Sequence, residues 1–509
     1  MKPKISLASF LVLIGTFIYF ILGTAGYDPD FGWHLRFGQI ILSQGSIPRL
    51  DQFSYTMPSY HFVDHEWTVS VVMAWIFDHF GYIPLVVLFA LICIRTLYLL
   101  AEGFEKRWTW LLLFLVASTF FAFIGVRVQI ITWMFLALLM RLLWQPKEWK
   151  RWRYYIPLVF LLWANMHGGF AGGFIIMTIF LIGNGIEKKS FDKKDFFVIL
   201  LSFFATFINP FGYHLWEEVF RSLTDSSLHA IIQEWAPAVY FPTMAFWIYV
   251  ALSLSLVIIY RKRYTKTTLF LYGLLFLGGI TSMRNIPLFL IVSFYPTLQA
   301  VGFLEKEAKS YKHGIERFLK AYVGFTMLCL FLVLPQIGMF FYGVATADKG
   351  KPGYPAGAIA YLRKNTPDNQ IFSSYNWGGY LIWKLPEKKV FIDGRMPSWR
   401  NPNAPSTESS YALGEYLSVL RGEVPFAVTQ KKYHIDTVLA PVSELKEHHV
   451  MFLGFDLTKN PFLKKFLRAD TSFAPIVKTV TQEGWKEVYR DNAAVIYQAP
   501  NSIMENHGS

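Results

Sequence analysis

Long apolar runs separated by short polar loops fill the first two thirds of the chain. A membrane-spanning helix needs about 20 mostly apolar residues. Runs of this kind predict eleven spans, at 5–23, 84–101, 108–124, 129–145, 154–167, 170–186, 195–209, 244–260, 267–282, 286–302 and 318–342. The first run is also compatible with a signal peptide, although it is long for one. Residues 1–342 are therefore predicted to form an α-helical polytopic membrane domain.

From residue 343 onward the pattern becomes that of a water-soluble protein, with helical stretches alternating with short β-rich runs. The helical stretches are 355–364 and 411–421; the β-rich runs are Gln370–Ser373, Lys389–Asp393, Asp436–Ala440 and Ile476–Val480, and a closing hairpin joins Trp485–Tyr489 to Ala493–Gln498. Such alternation predicts a C-terminal α/β soluble domain over 343–509.

Lys and Arg are distributed unevenly between alternate loops, and this asymmetry sets the orientation of a membrane protein. One set of loops carries basic clusters, such as Lys147–Arg153, Lys188–Lys194 and Arg261–Lys266. Up to residue 342, the other set carries isolated arginines: Arg36, Arg49, Arg127, Arg221 and Arg284. The N-terminus is therefore predicted to be cytoplasmic, in a multi-pass protein of the cytoplasmic (inner) membrane.

The same orientation predicts that the first loop, 24–83, and the domain 343–509 are extracytoplasmic. The loop contains the apolar run 66–80. This run is interpreted as a juxtamembrane helix rather than a span, because the segment 81–84 that follows it has no basic residue to mark a cytoplasmic loop.

Composition agrees with a membrane protein and excludes other classes. Charged residues make up 16% of the chain and the mean hydropathy is +0.34, against about 25% charged residues in soluble proteins. The net charge of +13 does not indicate nucleic-acid binding, because the basic residues lie in short clusters between apolar runs. Cys93 and Cys329 both lie in apolar runs, so no disulfide framework or cysteine-based metal site is expected.

The first loop holds the densest cluster of polar residues. Asp28 and Asp30 follow the first span, and a helix starting at Asp30 would bring His34 onto the same face. His65 and Glu66 come later in the loop. Carboxylates beside an imidazole can deprotonate an acceptor or hold a divalent cation such as Mg²⁺ or Mn²⁺, with Asp30 as the candidate ligand. Asp28, Asp30 and His34 are the candidate catalytic residues, and His65 and Glu66 are candidates for contact with an acceptor.

An alternative interpretation of the same segment is purely structural. Asp28 would then only cap the helix 31–44. That helix would lie in the membrane interface, with an apolar face in lipid formed by Trp33, Phe37, Ile40 and Ile41.

Polar residues at other span ends suggest an anion site. Arg127 and Gln129 lie in the turn between the third and fourth spans, and Arg284 lies between the ninth and tenth. Outer arginines run against the usual charge asymmetry, and a guanidinium matches a phosphate bidentately. We therefore predict that these residues bind the phosphate group of an anionic ligand at the outer face. The alternative is that the arginines reach the lipid headgroups.

Two further candidates contact an acceptor in this scheme. Glu234 lies in the long outer loop 210–243, and His167 lies in the turn Asn165–Gly169. The glycines of that turn equally allow His167 a structural role. The motifs Tyr375–Tyr380 and Phe391–Arg395 are interpreted as structural turns, the alternative being that their residues contact an acceptor.

The first loop and several later motifs resemble those of a known class of enzymes. Asp30–Arg36 is similar to the Asp-x-x-aromatic-His-x-Arg pattern of archaeal oligosaccharyltransferases, and the topology resembles the GT-C class of membrane glycosyltransferases. That class also includes the protein O-mannosyltransferases and lipid A aminoarabinose transferase. Further motifs look like those of a bacterial group of GT-C proteins: Trp33–Thr56, His65–Trp67, Asn165–Gly169, Asn209–Gly212, Tyr375–Trp383 and Phe391–Arg395.

The resemblance implies a hexosyl or pentosyl transferase that moves a sugar from a polyprenyl-phosphate carrier to an extracytoplasmic glycan, glycolipid or protein. In this class a first-loop Asp is the base or a metal ligand, a role that falls on Asp30. The Trp-Trp-Asp-Tyr-Gly signature of oligosaccharyltransferases is not found in 343–509, and Asp30 lacks the adjacent Glu of O-mannosyltransferases. Asparagine glycosylation is therefore not expected, and metal dependence stays open.

Two other classes of function compete with this interpretation. A transporter or flippase for a lipid-linked glycan would carry charges in mid-span and paired broken helices. Most charges here lie at span ends, with Arg95 and Arg141 as exceptions. A non-catalytic assembly scaffold would leave the cluster of Asp30, His34 and Arg36 without a role.

Overall fold

The computed structural model describes the residues 6–23, 27–102, 108–225, 232–240, 243–311, 313–346, 353–367, 369–442, 451–452, 455–456 and 476–500. Parts of the predicted domain 343–509, chiefly 443–450 and 457–475, lie outside these ranges.

The chain divides into two compact units. The first, called here the helical unit, comprises Met1–Ala25, Phe80–Phe220 and Ile231–Thr346. The second, called the mixed unit, comprises Gly26–His79, Arg221–Ala230 and Ala347–Ser509. The first outer loop thus belongs to the same unit as the C-terminal residues. The division into separate domains 1–342 and 343–509 stays a prediction.

Helices make up most of the described part of the helical unit. They are Leu7–Gly23, Tyr82–Ala101, Thr109–Phe120, Gln129–Trp144, Pro146–Trp152, Ile156–Ala164, Phe170–Glu187, Lys193–Ala205, Met244–Ile259, Lys266–Thr281, Ile286–Ser310 and Gly314–Thr346, with 3₁₀ turns at Phe121–Phe123, Arg153–Tyr155, Gln233–Trp235, Ala238–Tyr240, Arg261–Arg263 and Met283–Asn285. The helix His214–Thr224 crosses the division between the units. Each predicted span coincides with one of these helices.

Four helical segments are long and apolar enough to cross a membrane, judged by length and composition: Tyr82–Ala101, Phe170–Glu187, Met283–Ser310 and Gly314–Pro335. The two shortest predicted spans correspond to Ile156–Ala164, with 9 residues, and Lys193–Ala205, with 13. Both are shorter than a single crossing requires. The mostly helical, membrane-type character of this part is confirmed, whereas the number of eleven crossings stays a prediction.

Hydroxyl groups join the helices inside this unit. The Tyr249 hydroxyl is hydrogen-bonded to Ser293 Oγ at 2.9 Å, and Ser253 Oγ to Thr297 Oγ1 at 2.6 Å. All four side chains are buried. Hydrogen bonds of this kind hold helices together where lipid supplies no hydrophobic driving force between them.

The mixed unit contains a four-stranded mixed sheet in the order β1-β2-β6-β5. Its strands are β1 (Gln370–Ser373), β2 (Ile435–Pro441), β5 (Lys486–Arg490) and β6 (Ala494–Gln498), and a two-stranded hairpin is formed by β3 (Met451–Phe452) and β4 (Phe455–Asp456). The first pair is parallel, and β6 is antiparallel to both of its neighbours. The helices of this unit are Phe31–Gln44, Trp67–Phe80, Ala356–Lys364, Gly378–Lys384, Ala412–Leu420, Phe426–Tyr433 and Ile476–Gln482, with a 3₁₀ turn at Tyr375–Trp377.

Two of the predicted strands are not strands. Ile476–Val480 lies in the helix Ile476–Gln482, where Ile476, Val477 and Val480 are buried. Lys389–Asp393 forms only a single bridge, between Val390 and Ser54 of the first loop. Its polar backbone groups are satisfied by the loop instead of by the sheet: Val390 N donates to Phe53 O at 2.9 Å.

The helix Phe31–Gln44, called here the first-loop helix, has most of its apolar side chains buried within protein, although Leu42 is 45% exposed. Trp33 and Phe37 are 5% and 1% exposed and pack against Phe62. This contradicts the alternative in which those side chains lie in the membrane. The packing is close because glycines face each other: a Cβ added at Gly32 would lie 1.9 Å from the carbonyl oxygen of Gly379. Gly379 lies near the start of a helix rather than in a turn.

Candidate functional site

Asp30 is the residue on which the first-loop helix begins. It takes the N-cap position, and its carbonyl oxygen accepts the amide hydrogen of His34 at 3.2 Å. Its carboxylate accepts a hydrogen bond from Trp33 Nε1 at 3.0 Å through Oδ1. The side chain is half-buried. Asp28 is not the N-cap residue: its Oδ1 accepts the Asp30 backbone N–H at 3.0 Å, and the Asp30 side chain, at the N-cap position, makes no capping hydrogen bond to the helix.

A glycine makes room for the Asp30 carboxylate. A Cβ added at Gly394 would lie 2.0 Å from Asp30 Oδ1, a distance that real Cβ contacts do not reach. Gly394 belongs to the Asp393-Gly394-Arg395 turn in the C-terminal part of the mixed unit. The turn that the sequence predicts to be structural therefore lies against the predicted base.

His34 lies behind Asp30, with the Trp33 ring between them. The Trp33 and His34 rings stack with centroids 3.6 Å apart. His34 Nδ1 is 2.9 Å from Ser70 Oγ, and Nε2 is 3.4 Å from Glu66 Oε2. Burial, followed by the charges of His65 and Arg395, holds the pKa of His34 well below its usual value. The imidazole is therefore neutral at pH 7, and both of its nitrogens are held by neighbours.

Glu66 connects two histidines. Its Oε1 is 3.6 Å from His65 Nε2, and its other oxygen faces His34. Its backbone N–H donates to Asp64 Oδ1 at 2.8 Å. Asp64 is buried, and this burial raises the pKa of its carboxyl to about 7, against the lowering effects of the Glu66 N–H, Arg395 and Ser70. Asp64 thus changes charge near neutral pH.

Arg395 closes the cluster from the other side. Its Nη1 is 2.9 Å from Asp51 Oδ1, and its Nε and Nη2 donate to the two Asp393 oxygens at 2.8 and 2.6 Å. The side chains of all three residues are at most 1% exposed. The guanidinium also lies over the Phe53 ring, 4.8 Å from its centroid. One buried positive charge is therefore shared by two buried carboxylates.

The cluster contains side chains of the types that can transfer a proton. Among the described residues, no three His, Cys, Asp or Glu side chains are grouped so that they could hold a metal ion. Asp30 itself is a half-buried carboxylate whose orientation is fixed by Trp33 Nε1, and a positioned carboxylate of this kind can accept a proton.

The predicted phosphate-binding residues lie in the helical unit. Arg127 Nη1 forms an ion pair with Glu234 Oε1 at 2.8 Å, with 22% and 38% of the two side chains exposed. The guanidinium of Arg284 lies 5.3 Å from the ring centroid of Trp235, the residue after Glu234. The Met283 N–H donates to Ala236 O at 2.9 Å. Arg127, Glu234 and Arg284 thus meet around one loop, whereas Gln129 begins the helix Gln129–Trp144.

His167 is part of the turn in which the sequence places it. The Gly169 N–H donates to His167 Nδ1 at 2.9 Å, and Thr132 Oγ1 is 2.8 Å from the same nitrogen. Trp163 Nε1 donates to Thr132 Oγ1 at 2.9 Å. His167 therefore links the turn to the neighbouring helix.

Sequence reasoning missed five members of the cluster around Asp30: Asp51, Asp64, Ser70, Asp393 and Arg395. Their common signal is a polar side chain inside a short, otherwise apolar or turn-forming stretch. Nothing local connects Asp51 with Arg395, because their contact joins segments that are far apart in the chain. Gly394 carries no such signal, because a Gly after Asp is already explained by a turn, and its contact with Asp30 is evident only in the structure.

No family model matches the sequence, and no curated protein matches it either. Among solved structures, the apo form of the oligosaccharyltransferase of Archaeoglobus fulgidus is similar with a TM-score of 0.58, over 86% of this chain and 70% of that chain, at 13% identity. ArnT from Cupriavidus metallidurans, solved with undecaprenyl phosphate bound, has a TM-score of 0.49 over 96% and 97% of the two chains, at 11% identity. The first match shows a GT-C-like fold, as the resemblance implied. The low identity means that it shows the fold alone.

Proposed function

We propose that the protein is a glycosyltransferase that moves a sugar from a polyprenyl-phosphate carrier to an extracytoplasmic acceptor, with Asp30 as the general base. The observation that carries the proposal is the position of the Asp30 carboxylate. It is half-buried, held by Trp33 Nε1 at 3.0 Å and lodged against Gly394, in a chain with a GT-C-like fold. The acceptor is a glycan, a glycolipid or a protein.

The chemistry needs little beyond a positioned base. The acceptor attacks the anomeric carbon of the sugar, a new bond forms there, and the bond from that carbon to the phosphate oxygen breaks. The proton of the acceptor passes to Asp30, and the carrier phosphate leaves with the bonding electrons. A base in this position typically contributes about 10²–10⁴-fold in rate.

His34 and Asp28 are proposed as positioning residues rather than as proton carriers. His34 is neutral and stacks on Trp33, the residue that holds Asp30 Oδ1. Asp28 fixes the backbone of Asp30. His65 and Glu66 are proposed to contact the acceptor, because both side chains are partly exposed beside His34. The proposal does not extend to His167, whose Nδ1 holds its own turn.

Arg127 and Arg284 are proposed to bind the carrier phosphate, with Gln129 as a further donor. A departing phosphate gains negative charge, which a guanidinium stabilises through two parallel hydrogen bonds. In the structure, the Arg127 guanidinium is paired with the Glu234 carboxylate. We therefore propose that the phosphate displaces Glu234 from Arg127 when the carrier binds.

The proposal also assigns an orientation. Eleven crossings, with the N-terminus in the cytoplasm, place the first loop and the C-terminal residues outside, where lipid-linked sugars are used. The basic loops support this orientation. The protein would then act in the cytoplasmic membrane.

The function is tested most broadly in cells. Surface glycans, glycolipids and glycoproteins are compared by mass spectrometry between cells with the gene, without it, and with an Asp30→Asn copy expressed at the same level. The proposal predicts one glycan, glycolipid or glycoprotein that lacks a single sugar both without the gene and with the Asp30→Asn copy. Identical glycans, glycolipids and glycoproteins in all three strains would contradict a transferase function. A lipid-linked glycan that accumulates unmodified, with no sugar lost, would indicate a flippase.

A further inference from the structure

The helical unit contains an open cavity that the proposed reaction does not use. Its volume is about 1370 Å³, above the range of about 300–1,000 Å³ for pockets that bind small molecules. It lies between the ends of the helices Gln129–Trp144, Phe170–Glu187 and Lys193–Ala205, beside the turn 263–268. These segments flank the loops that the sequence predicts to be cytoplasmic.

Aromatic rings form the apolar part of the wall. Trp144 and Phe180 line the cavity between two helices, with their ring centroids 6.2 Å apart. Phe191 and Phe197 also line it and are 63% and 58% exposed. An exposed apolar wall of this size favours a ligand with a hydrocarbon part.

Lysines form the polar part of the wall. Lys150, Lys188, Lys193 and Lys194 line the same cavity and are exposed. Within the described ranges, none of the four forms an ion pair with a carboxylate, whereas elsewhere Lys309 pairs with Glu305 and Lys320 with Glu316. Four ammonium groups without such carboxylate partners at one opening favour an anionic ligand.

Ion pairs of the buried Arg153 with two partly exposed aspartates fix the segment that carries these lysines. Arg153 is 5% exposed, and its Nη1 lies 2.5 Å from Asp192 Oδ2 and 2.7 Å from Asp195 Oδ1. Trp149 Nε1 also donates to Asp195 Oδ1, at 2.8 Å. The two aspartates of the wall are therefore held by Arg153, and Lys193 and Lys194 are attached to a fixed backbone.

We propose that this cavity binds an anionic phospholipid, with the phosphodiester headgroup among the four lysines and the acyl chains along the aromatic wall. Basic pockets between membrane helices on the cytoplasmic side commonly bind anionic headgroups. A lipid fits this cavity better than a free phosphate does, because a small soluble anion would leave the aromatic wall exposed. It is independent of the reaction at Asp30.

The test uses the detergent-solubilised full-length protein and native mass spectrometry. The protein is titrated with phosphatidylglycerol and, separately, with phosphatidylcholine of the same acyl chains. We expect phosphatidylglycerol to bind more tightly. The triple variant Lys188→Gln/Lys193→Gln/Lys194→Gln should lose about 10- to 100-fold in affinity for phosphatidylglycerol and keep its affinity for phosphatidylcholine, given the attraction of each lysine for an anionic lipid surface.

The matched control is Lys306→Gln/Lys309→Gln/Lys320→Gln, which removes three lysines that do not line the cavity. This control should bind phosphatidylglycerol like the original protein. Equal losses of phosphatidylglycerol affinity in both variants would overturn the proposal, because lysines outside the cavity would then contribute as much to binding as those that line it. Unchanged binding by the first variant would also overturn it. Complete displacement of the lipid by millimolar inorganic phosphate would show that the site recognises the phosphate alone and not a lipid.

Discussion

Arg395 and Asp51 form an ion pair within the buried part of the mixed unit, with Nη1 2.9 Å from Oδ1. Asp51 belongs to the first outer loop and Arg395 to the C-terminal part of the chain. The pair therefore joins two segments that the sequence assigns to different domains, and it does so beside the proposed base. The loop and the C-terminal residues are parts of one folded structure.

Removing the guanidinium should destabilise this unit strongly. Arg395→Met keeps much of the apolar contact with Phe53 but leaves Asp51 and Asp393 buried without a counter-charge. Breaking a buried pair in this way costs about 3–5 kcal/mol. The measurement is the thermal midpoint of the detergent-solubilised protein. The control is Arg490→Met, which removes an exposed pair with Glu487 and should barely change the thermal midpoint. Equal shifts in both variants would show that the buried Arg395 pair contributes no more to stability than an exposed one.

Filling the space at Gly394 should damage activity by moving Asp30. The added Cβ of Gly394→Ala would lie 2.0 Å from Asp30 Oδ1, so the carboxylate must shift. A displacement of about 1 Å at a reacting group can cost about 10²-fold in rate. Gly353→Ala is the control, because a Cβ at Gly353 meets nothing within 4 Å. Sugar transfer is measured at equal protein amounts. Full activity of Gly394→Ala would show that this turn does not position Asp30 for the reaction.

The stability of the mixed unit should depend on the charge of Asp64. Burial raises the pKa of its carboxyl to about 7. Below the pKa that Asp64 has in the unfolded chain, its carboxyl is protonated in both the folded and the unfolded protein. As the pH rises towards 7, only the unfolded chain releases the proton, so the stabilisation present at low pH is lost. The thermal midpoint should therefore fall more steeply between about pH 4 and pH 7 in the original protein than in Asp64→Asn. Parallel profiles would show that Asp64 is already ionised.

Competition for Arg127 should appear in the affinity for the carrier. If the phosphate displaces Glu234, then Glu234→Gln removes the competitor and should lower KM for the polyprenyl-phosphate sugar. Arg127→Gln should raise KM and reduce turnover, and Arg127→Lys should keep part of the activity because it retains the charge without the planar fork. Steady-state kinetics in detergent measure all three. Unchanged kinetics throughout would favour a role for Arg127 at the lipid headgroups.

The helices could be predicted from sequence because apolar length alone specifies them. The failures have a different cause. Ile476–Val480 is rich in β-branched residues, yet three of its apolar residues are buried along a helix, so packing overrides the local preference. The first-loop helix looks like an interfacial helix because its apolar face is evident and its protein partner is not.

The site was predictable only in part. Asp28, Asp30, His34 and Glu66 are close in sequence and stand out as polar residues after a span. Asp51, Gly394 and Arg395 acquire their significance through contacts between distant segments, which no periodicity reveals. The sequence could locate the proposed base, but not the turn that makes room for it.

Sugar transfer by Asp30→Asn tests the central claim most directly. The assay follows a labelled sugar from polyprenyl phosphate to acceptor in membranes that contain equal amounts of the original protein, Asp30→Asn and Asp28→Asn. Asparagine keeps the size of Asp30 and can still accept from Trp33 Nε1, so folding should survive. We predict that Asp30→Asn loses about 10²–10⁴-fold in rate, and that Asp28→Asn, which can still accept the Asp30 N–H, is milder. Near-normal transfer by Asp30→Asn would contradict its assignment as the base.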